Sequence, residues 1–344
     1  MTHRSFGKSM RQGGFTLIEL MIALVLGLVV IGGVISVFLA GQRSYATNKA
    51  IGDVQDSSRI AFEMMARDIR NAGLTGCGNS GRVANVLKNS TTTWWEDWNN
   101  AVHGYGTGTS SDPALTSGTA VGNQVAGTDS LQLIGAAETG LSVAATPSSS
   151  AADFHLNDTT SDLSAGDVIV VCDPDHAAIA QITNYNSSNV TLDHNTGSAV
   201  SPGNCSKGLG YPTDCSSATG NGYQFGLNSQ IFKLAAVDWY IGANPAGTRS
   251  LYRMSLGTNT GGAKPTSVAT ASEMIRDVTS MVIRYHQSGQ TGFVDAKTVG
   301  SNWSSVDSVQ IEWTMESVDK RAGVDTKPIS RKFTATSTVR NRVP

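Results

Sequence analysis

An uncharged apolar segment near the N-terminus constrains the fold more than any other feature of the sequence. No charged residue occurs between Leu20 and Gln42, a run of 23 positions. A helix that spans a membrane needs about 20 such residues, whereas the apolar core of a secretory signal peptide has only about 7–15. The sequence therefore predicts one membrane-spanning helix.

The charges beside this segment predict its orientation. The first 14 residues carry Arg4, Lys8 and Arg11 and no acid, whereas only Arg43 closely follows the apolar segment. Because positive flanks stay in the cytoplasm, we expect a cytoplasmic N-terminus and an exported remainder of the chain. Export also permits disulfide bonds to form.

The composition of the exported part favours strands joined by many turns. Charged residues make up 15% of the chain, against about 25% in an average globular protein. Glycine is abundant, with 37 residues, and Ser, Thr and Asn crowd the middle of the sequence. The formal net charge of −2 argues against a nucleic-acid-binding surface, so we predict no nucleic-acid contact.

A carboxylate stands at the start of the apolar segment, in the run Gly14-Phe15-Thr16-Leu17-Ile18-Glu19. A charge next to a bilayer is costly and usually has a partner. From the residues alone, two interpretations of Glu19 stay open. Its carboxylate lies in the headgroup region without a function, or it pairs with a positive group.

This run resembles the type III signal sequence of type IV pilins and of type II secretion pseudopilins. The resemblance implies that a prepilin peptidase cleaves between Gly14 and Phe15, removes residues 1–14 as a leader and N-methylates Phe15. It further implies that Glu19 pairs with the Phe15 amine of a neighbouring subunit in a filament, with Thr16 adding a hydrogen bond. A free α-amino group has a pKa near 8, so it is mostly cationic at neutral pH.

The helix is predicted to run from Phe15 to Ala72, with residues 15–42 in the membrane or filament core and residues 43–73 amphipathic. Gly27, Gly32 and Gly33 either loosen its first half or allow neighbouring helices to pack closely. Positions on one face of the second half recur at spacings of three and four: Ile51, Val54, Ser58, Ala61, Met65, Ile69 and Ala72.

A second stretch resembles a narrower family. The sequence Asp68-Ile69-Arg70-Asn71-Ala72-Gly73, followed by Gly76-Cys77, is similar to the PilW family of minor pilins, as is the tail at 333–342. Major pilins are usually far shorter, so the length also favours a minor component. The resemblance implies a protein that helps prime pilus assembly, lies at or near the fibre tip and serves twitching motility, adhesion or DNA uptake.

This resemblance also implies partners and a location. The partners are other minor pilins, the major pilin, the inner-membrane assembly platform and the prepilin peptidase. The chain would first span the bacterial inner membrane with a periplasmic head and then enter the pilus. A type II secretion minor pseudopilin is the alternative, because the same N-terminal chemistry serves both systems.

The exported head, residues 74–344, is predicted to be an α+β, type IV pilin-like fold in which an antiparallel sheet packs on the helix. Two polar segments, 104–127 and 142–165, are expected to be mobile surface loops. The aromatic run Trp94-Trp95-Glu96-Asp97-Trp98 is either a contact patch or, as we favour, a small core beneath a loop. Strands are predicted at 130–134, 167–172, 178–183, 189–192, 230–241, 250–254, 281–286, 308–318 and 330–338.

Four cysteines are compatible with two disulfides in an exported protein, in one of three pairings. Cys205 and Cys215 are only ten positions apart across a region of turns, so we favour that pair, which leaves Cys77 with Cys172. A zinc site is the rival explanation, but no Cys-x-x-Cys spacing occurs. We therefore predict neither a metal nor a cofactor.

One further segment suggests a different class of protein. The run Asp173-Pro174-Asp175-His176 follows a predicted strand and, with Asp167 and His194, would suit a membrane-anchored exported hydrolase. A polar turn is the simpler interpretation of such a run. Because no established catalytic motif occurs in the sequence, we predict that the protein is not an enzyme.

Overall fold

One long helix dominates the N-terminal part of the computed structural model, which describes residues 14–78, 81–90, 93–145, 147–149, 151–323, 325 and 327–340. This helix, α1, runs over 55 residues, Leu17–Asn71. At 1.5 Å per residue it is about 80 Å long. The predicted leader up to residue 13 and residues 341–342 of the PilW-like tail lie outside the described residues.

The two halves of α1 have different surroundings. In the second half, Thr47 Oγ1 donates a 2.6 Å hydrogen bond to the carbonyl oxygen of Ala322 in the head. The helix is continuous through Gly27, Gly32 and Gly33. All its buried residues lie in the second half, nearly on the predicted face: Ala50, Val54, Ser58, Ala61, Met65, Ala66 and Ile69.

The described part of the head is rich in strands and contains one further short α-helix, α2, at Ala296–Val299. The strands are β1 (Val83–Asn85), β2 (Val102–Tyr105), β3 (Ser130–Ala145), β4 (Asp153–Leu156), β5 (Val168–Cys172), β6 (Ala177–Gln181), β7 (Asn184–Asn186), β8 (Thr191–Asp193), β9 (Gln230–Ala243), β10 (Arg249–Asn259), β11 (Thr266–Arg276), β12 (Val278–Gln287), β13 (Phe293–Val294), β14 (Val306–Glu316) and β15 (Ser330–Thr338).

These strands form two sheets rather than the single sheet that was predicted. The larger sheet has the order β1-β6-β5-β9-β3-β4-β8-β7, with β2 beside β3, β10 beside β9 and β11 beside β10. The smaller sheet has the order β13-β12-β14-β15. The pairings are antiparallel, except that β1 and β6 run parallel. The architecture is therefore α+β and pilin-like, with a mixed larger sheet.

The second half of α1 packs between the two sheets. Met65 and Ile69 share one apolar core with Trp239 of β9 and with Ile311 and Trp313 of β14. Ser58 is buried in this core because its hydroxyl oxygen accepts a 3.1 Å hydrogen bond from the indole nitrogen of Trp313. A hydrogen bond from the smaller sheet therefore satisfies the one polar side chain, Ser58, on the predicted face of the helix.

A second polar contact fastens α1 to the larger sheet. The Asp68 carboxylate accepts hydrogen bonds from Nε1 of Trp239 at 2.9 Å and from Nε of Arg253 at 2.8 Å. Nη2 of Arg253 also donates to the other carboxylate oxygen at 3.3 Å. The Asp68 side chain is only 17% exposed, so water does not replace these bonds easily.

We expect Asp68→Ala to lower the free energy of unfolding by about 2–3 kcal/mol, because it leaves a buried indole N–H and a half-buried guanidinium unpaired. Denaturant unfolding of the full chain in detergent would measure this. Glu63→Ala is the matched control, since the exposed Arg59–Glu63 pair on the same helix contributes only about 0.3–0.5 kcal/mol. Equal losses in the two variants would contradict the role of Asp68.

The segment 142–165 differs from its prediction as a loop. Strand β3 continues to Ala145, and β4 places Phe154 and Leu156 in a second apolar core with Leu163. Segment 104–127 also contributes buried side chains, Asp112 and Gln124. The second part of β3 and the four-residue strand β4 lie among Gly, Ser and Thr, so neither was recognisable as a strand from the sequence.

The tryptophan cluster and the cysteines both contribute to packing within the head. Trp95 is 7% exposed and belongs to a third apolar core, against which Trp94 and Trp98 pack partly buried. Cys77 is bonded to Cys172, and Cys205 to Cys215, with Cα–Cα distances of 5.8 and 5.2 Å. This is the pairing favoured from the sequence. The first disulfide joins the chain just beyond α1 to strand β5.

Candidate functional site

The N-terminus of α1 is closed by a reciprocal capping box between Thr16 and Glu19. The backbone N–H of Glu19 donates to Thr16 Oγ1 at 3.3 Å, and the backbone N–H of Thr16 donates to Glu19 Oε2 at 3.2 Å. The Thr16 hydroxyl also donates to Glu19 Oε2 at 3.0 Å. These contacts satisfy two of the N–H groups that a helix start leaves free.

Because of the capping box, Glu19 stabilises the start of α1 in the single chain, apart from any role in an assembly. A carboxylate near a helix N-terminus is stabilised by the helix dipole. Both Thr16 and Glu19 are nevertheless exposed, and within the described residues Glu19 forms no ion pair. The carboxylate is therefore accessible to a positive group that another molecule presents. The Thr-x-x-Glu spacing is typical of a capping box and is the sequence signal that would have predicted this contact.

The predicted cleavage site lies immediately before this cap. Gly14 and Phe15 precede the helix, both are exposed, and the Phe15 side chain is 87% exposed. Nothing lies within 4 Å of the position that a Cβ on Gly14 would occupy. A peptidase would therefore reach the Gly14–Phe15 bond without unfolding any helical turn.

The first half of α1 presents an apolar surface on all sides. It is long and apolar enough to cross a membrane, and none of its most apolar stretch is buried against the head. The large apolar side chains from Phe15 to Leu39 that are exposed have 46–87% of their surface accessible. Such a surface requires lipid or other apolar helices as a cover.

Residues 173–176, considered above as an alternative hydrolase site, form a hydrogen-bonded turn. Oδ1 of Asp173 accepts the backbone N–H groups of Asp175 and His176, and its Oδ2 accepts the Tyr223 hydroxyl at 2.9 Å. His176 is buried, stacks on Tyr223 and donates from Nε2 to the carbonyl oxygen of Leu209 at 2.7 Å. These contacts give both residues a role in packing the turn.

The other two candidates for that site have their own partners. Asp167 forms a 2.9 Å ion pair with Lys233 and accepts a hydrogen bond from Thr258. His194 lies against the ring of Phe154, and burial lowers its pKa to about 4, so it is neutral at pH 7. In the described parts of the chain, no group of three or more His, Cys, Asp or Glu side chains is arranged to hold a metal.

Comparison with protein families gave a match at this N-terminus. The model of the prokaryotic N-terminal methylation motif matches residues 9–35, which include Gly14, Phe15, Glu19 and much of the apolar half of α1. No curated protein matched the chain. The motif and the fold together support a type IV pilin-like or pseudopilin-like protein that is anchored by α1 and carries a head outside the membrane.

We expect Gly14→Val to block removal of the leader. The Gly14 surroundings are open, so the added side chain leaves the fold unchanged and affects only recognition by the peptidase. Mass spectrometry of the N-terminus in the native host would detect chains that still begin before Phe15, and an immunoblot would show slower migration. Gly41→Val, at another open glycine far from the cleavage site, is the control. Normal processing of the Gly14 variant would exclude this site.

Proposed function

We propose that this chain is a PilW-type minor pilin that takes part in assembling a type IV pilus at or near its tip. The observation that carries the proposal is the first half of α1. Its most apolar stretch is not buried against the head, and the methylation motif lies at its start. A helix of this kind can lie in a membrane before assembly and can pack among similar helices in a filament.

The proposed mechanism begins with cleavage between Gly14 and Phe15 and methylation of the new Phe15 amine. That amine is cationic at neutral pH. Within a growing filament, Glu19 of an incoming subunit would exchange part of its contact with Thr16 for the amine of the subunit already in place. An unpaired charge among packed apolar helices is strongly unfavourable, so this pairing would set the axial register.

The assignment to minor pilins of the PilW type rests on the head. The PilW-like stretch from Asp68 to Cys77 covers the last turn of α1 and the chain that leads to the first disulfide. In this chain Asp68 accepts hydrogen bonds from two strands, and Cys77 is bonded to Cys172. These hydrogen bonds and this disulfide connect the head to the end of α1.

The partners proposed for this subunit follow from the same chemistry. The prepilin peptidase would act on the exposed Gly14–Phe15 bond, and the inner-membrane assembly platform would handle the membrane-inserted helix. Other minor pilins and the major pilin would cover the apolar half of α1 in the fibre. Before assembly the N-terminus would be cytoplasmic and the head periplasmic. We propose no catalytic role for residues 173–176.

Deletion and complementation in the native host would test the function. Loss of the gene is expected to abolish or sharply reduce surface pili and twitching, and the intact gene should restore both. Secretion of type II substrates should be unchanged. The opposite pattern, normal piliation with lost secretion, would favour a minor pseudopilin, and no change in either would reject both assignments.

A further inference from the structure

A polar cavity lies beside the turn between β5 and β6. Small-molecule sites typically have volumes of about 300–1,000 Å³. This cavity has a volume of about 400 Å³, so it is large enough for one small ligand. It belongs to the head and takes no part in the proposed packing of the apolar helix. The residues that line it include Arg82, His176, Gly210, Tyr211, Asn221 and Tyr223.

Aromatic rings form the buried side of the cavity. His176 is 2% exposed, and its ring stacks on that of Tyr223 with 4.0 Å between the centroids. Phe225 meets the Tyr223 ring edge-on, with centroids 4.9 Å apart. The Tyr223 hydroxyl donates a 2.9 Å hydrogen bond to Asp173, so its oxygen retains lone pairs that can accept a hydrogen bond from a ligand. Neighbouring side chains therefore hold this acceptor in one position.

The wall that carries Gly210 and Asn221 is braced by a disulfide and by hydrogen bonds. The disulfide joins Cys205 to Cys215. The Gly210 N–H donates to the carbonyl oxygen of Asn221 at 2.7 Å, and Nδ2 of Asn221 donates to the carbonyl oxygen of Pro212 at 2.8 Å. A Cβ at Gly210 would lie only 2.9 Å from that Asn221 oxygen, so this close approach requires glycine. A wall that is formed in advance loses little conformational entropy when a ligand binds.

Tyr211 adds an accessible aromatic ring to the cavity. It is one of the lining residues, and 55% of its surface is exposed. The ring of a tyrosine is apolar, whereas its hydroxyl is polar. Hydrogen-bonding groups of Arg82, Asn221 and Tyr223 line the same cavity. A ligand that fits therefore has an apolar face for the ring and several groups that form hydrogen bonds.

The charges around the cavity disfavour a charged ligand. Nη1 of Arg82 donates to both carboxylate oxygens of Asp175 at 3.2 Å, and Arg82 is the one Lys or Arg among the described lining residues. Burial, and then Asp173 and Asp175, raise the pKa of Tyr223 to about 12, whereas Arg82 acts in the opposite direction. An anion would therefore meet two carboxylates, and a cation would meet the guanidinium group.

We propose that this cavity binds the terminal neutral hexose of a glycan. A hexose has an apolar face of C–H groups and a rim of hydroxyls that both donate and accept hydrogen bonds. The C–H face would pack on the Tyr211 ring. The Arg82 guanidinium would donate to a sugar oxygen, and the side-chain oxygens of Asn221 and Tyr223 would accept from sugar hydroxyls. The proposal involves binding without any covalent step, and it does not depend on the proposed role in pilus assembly.

The test uses the full mature chain in a detergent without a sugar headgroup, because such a headgroup would compete for the cavity. The probes are the methyl glycosides of galactose, glucose, mannose and N-acetylglucosamine, followed by saturation-transfer NMR. We expect at least one of them to bind with a Kd of about 1 mM, as suits a ligand of about a dozen non-hydrogen atoms. Glucuronic acid, N-acetylneuraminic acid and inorganic phosphate are the anionic probes and should give no signal.

Tyr211→Ala is expected to weaken binding of that glycoside at least about tenfold, the usual effect of truncating an anchoring aromatic residue. Tyr211→Phe keeps the ring and should bind within about threefold of the wild type. Leu227→Ala, at a similarly open position outside the cavity, is the control and should bind normally. Because Tyr211 is exposed, its variants should unfold at the wild-type midpoint, so a loss of binding is not a loss of folding.

Three results would overturn the inference. They are the absence of binding by all four neutral glycosides, binding of the anionic probes in their place, and unchanged binding by Tyr211→Ala. The second result would identify an anion site at Arg82, and the third would place the sugar elsewhere on the chain. In the native host, Tyr211→Ala should leave the amount of this subunit in sheared pili unchanged. A failure of sugar binding is therefore distinguishable from a failure of the proposed role in the pilus.

Discussion

Glu19→Ala is expected to leave the chain processed at its normal length but to lower its recovery in sheared pili by at least about 100-fold, because an unpaired charge among packed helices costs about 3–5 kcal/mol. The first half of α1 carries no other acid that could pair with the Phe15 amine. Loss of the capping box alone would cost only about 1 kcal/mol and would not account for this deficit. Immunoblots of sheared pili and of cell membranes would measure the two pools.

Two variants separate pairing from capping at this site. Thr16→Ala removes the side-chain cap but keeps the Glu19 carboxylate, so we expect a deficit of less than about tenfold. Glu63→Ala removes an acid from the exposed side of the second half of α1 and should be incorporated normally. Normal abundance of the Glu19 variant in sheared pili would reject the assembly role of that carboxylate without affecting the fold.

Loss of the Cys77–Cys172 disulfide is expected to be the largest stability change in the head. The bond closes a loop with a sequence separation of 95, and the chain-entropy model assigns such a loop about 4–5 kcal/mol. The bond also holds the end of α1 against β5, whose Cys172 is fully buried. Replacing both cysteines with Ala avoids leaving a buried polar group, and denaturant unfolding under oxidising conditions would give the loss.

The second disulfide provides an internal comparison. Cys205–Cys215 has a sequence separation of only 10, for which the same model gives about 3 kcal/mol or less. The double variant with Ala at positions 205 and 215 should therefore be more stable than the double variant with Ala at positions 77 and 172 by about 2 kcal/mol. Equal losses, or a greater loss from the short loop, would show that the long disulfide does not anchor the helix to the sheet.

Several of the long strands in the head were predictable from the sequence. The predicted strands at 230–241, 308–318 and 330–338 correspond to β9, β14 and β15, because each has either a continuous apolar run or regular alternation. Strand β11 was missed because its sequence, Thr266–Arg276, contains few large apolar residues. It lies at an edge of the larger sheet, where β10 is its one partner among the described strands, so much of its surface is exposed.

The sequence by itself determined the long helix, its apolar first half, the burial face of its second half and the motif at its start. These features follow from residues that are neighbours along the chain, where periodicity and capping act locally. Only the tertiary structure decided that there are two sheets and that Asp68 binds Trp239 and Arg253. Those side chains are more than 100 positions apart in the sequence. Their contact depends on how whole sheets pack, and a local sequence pattern does not predict that packing.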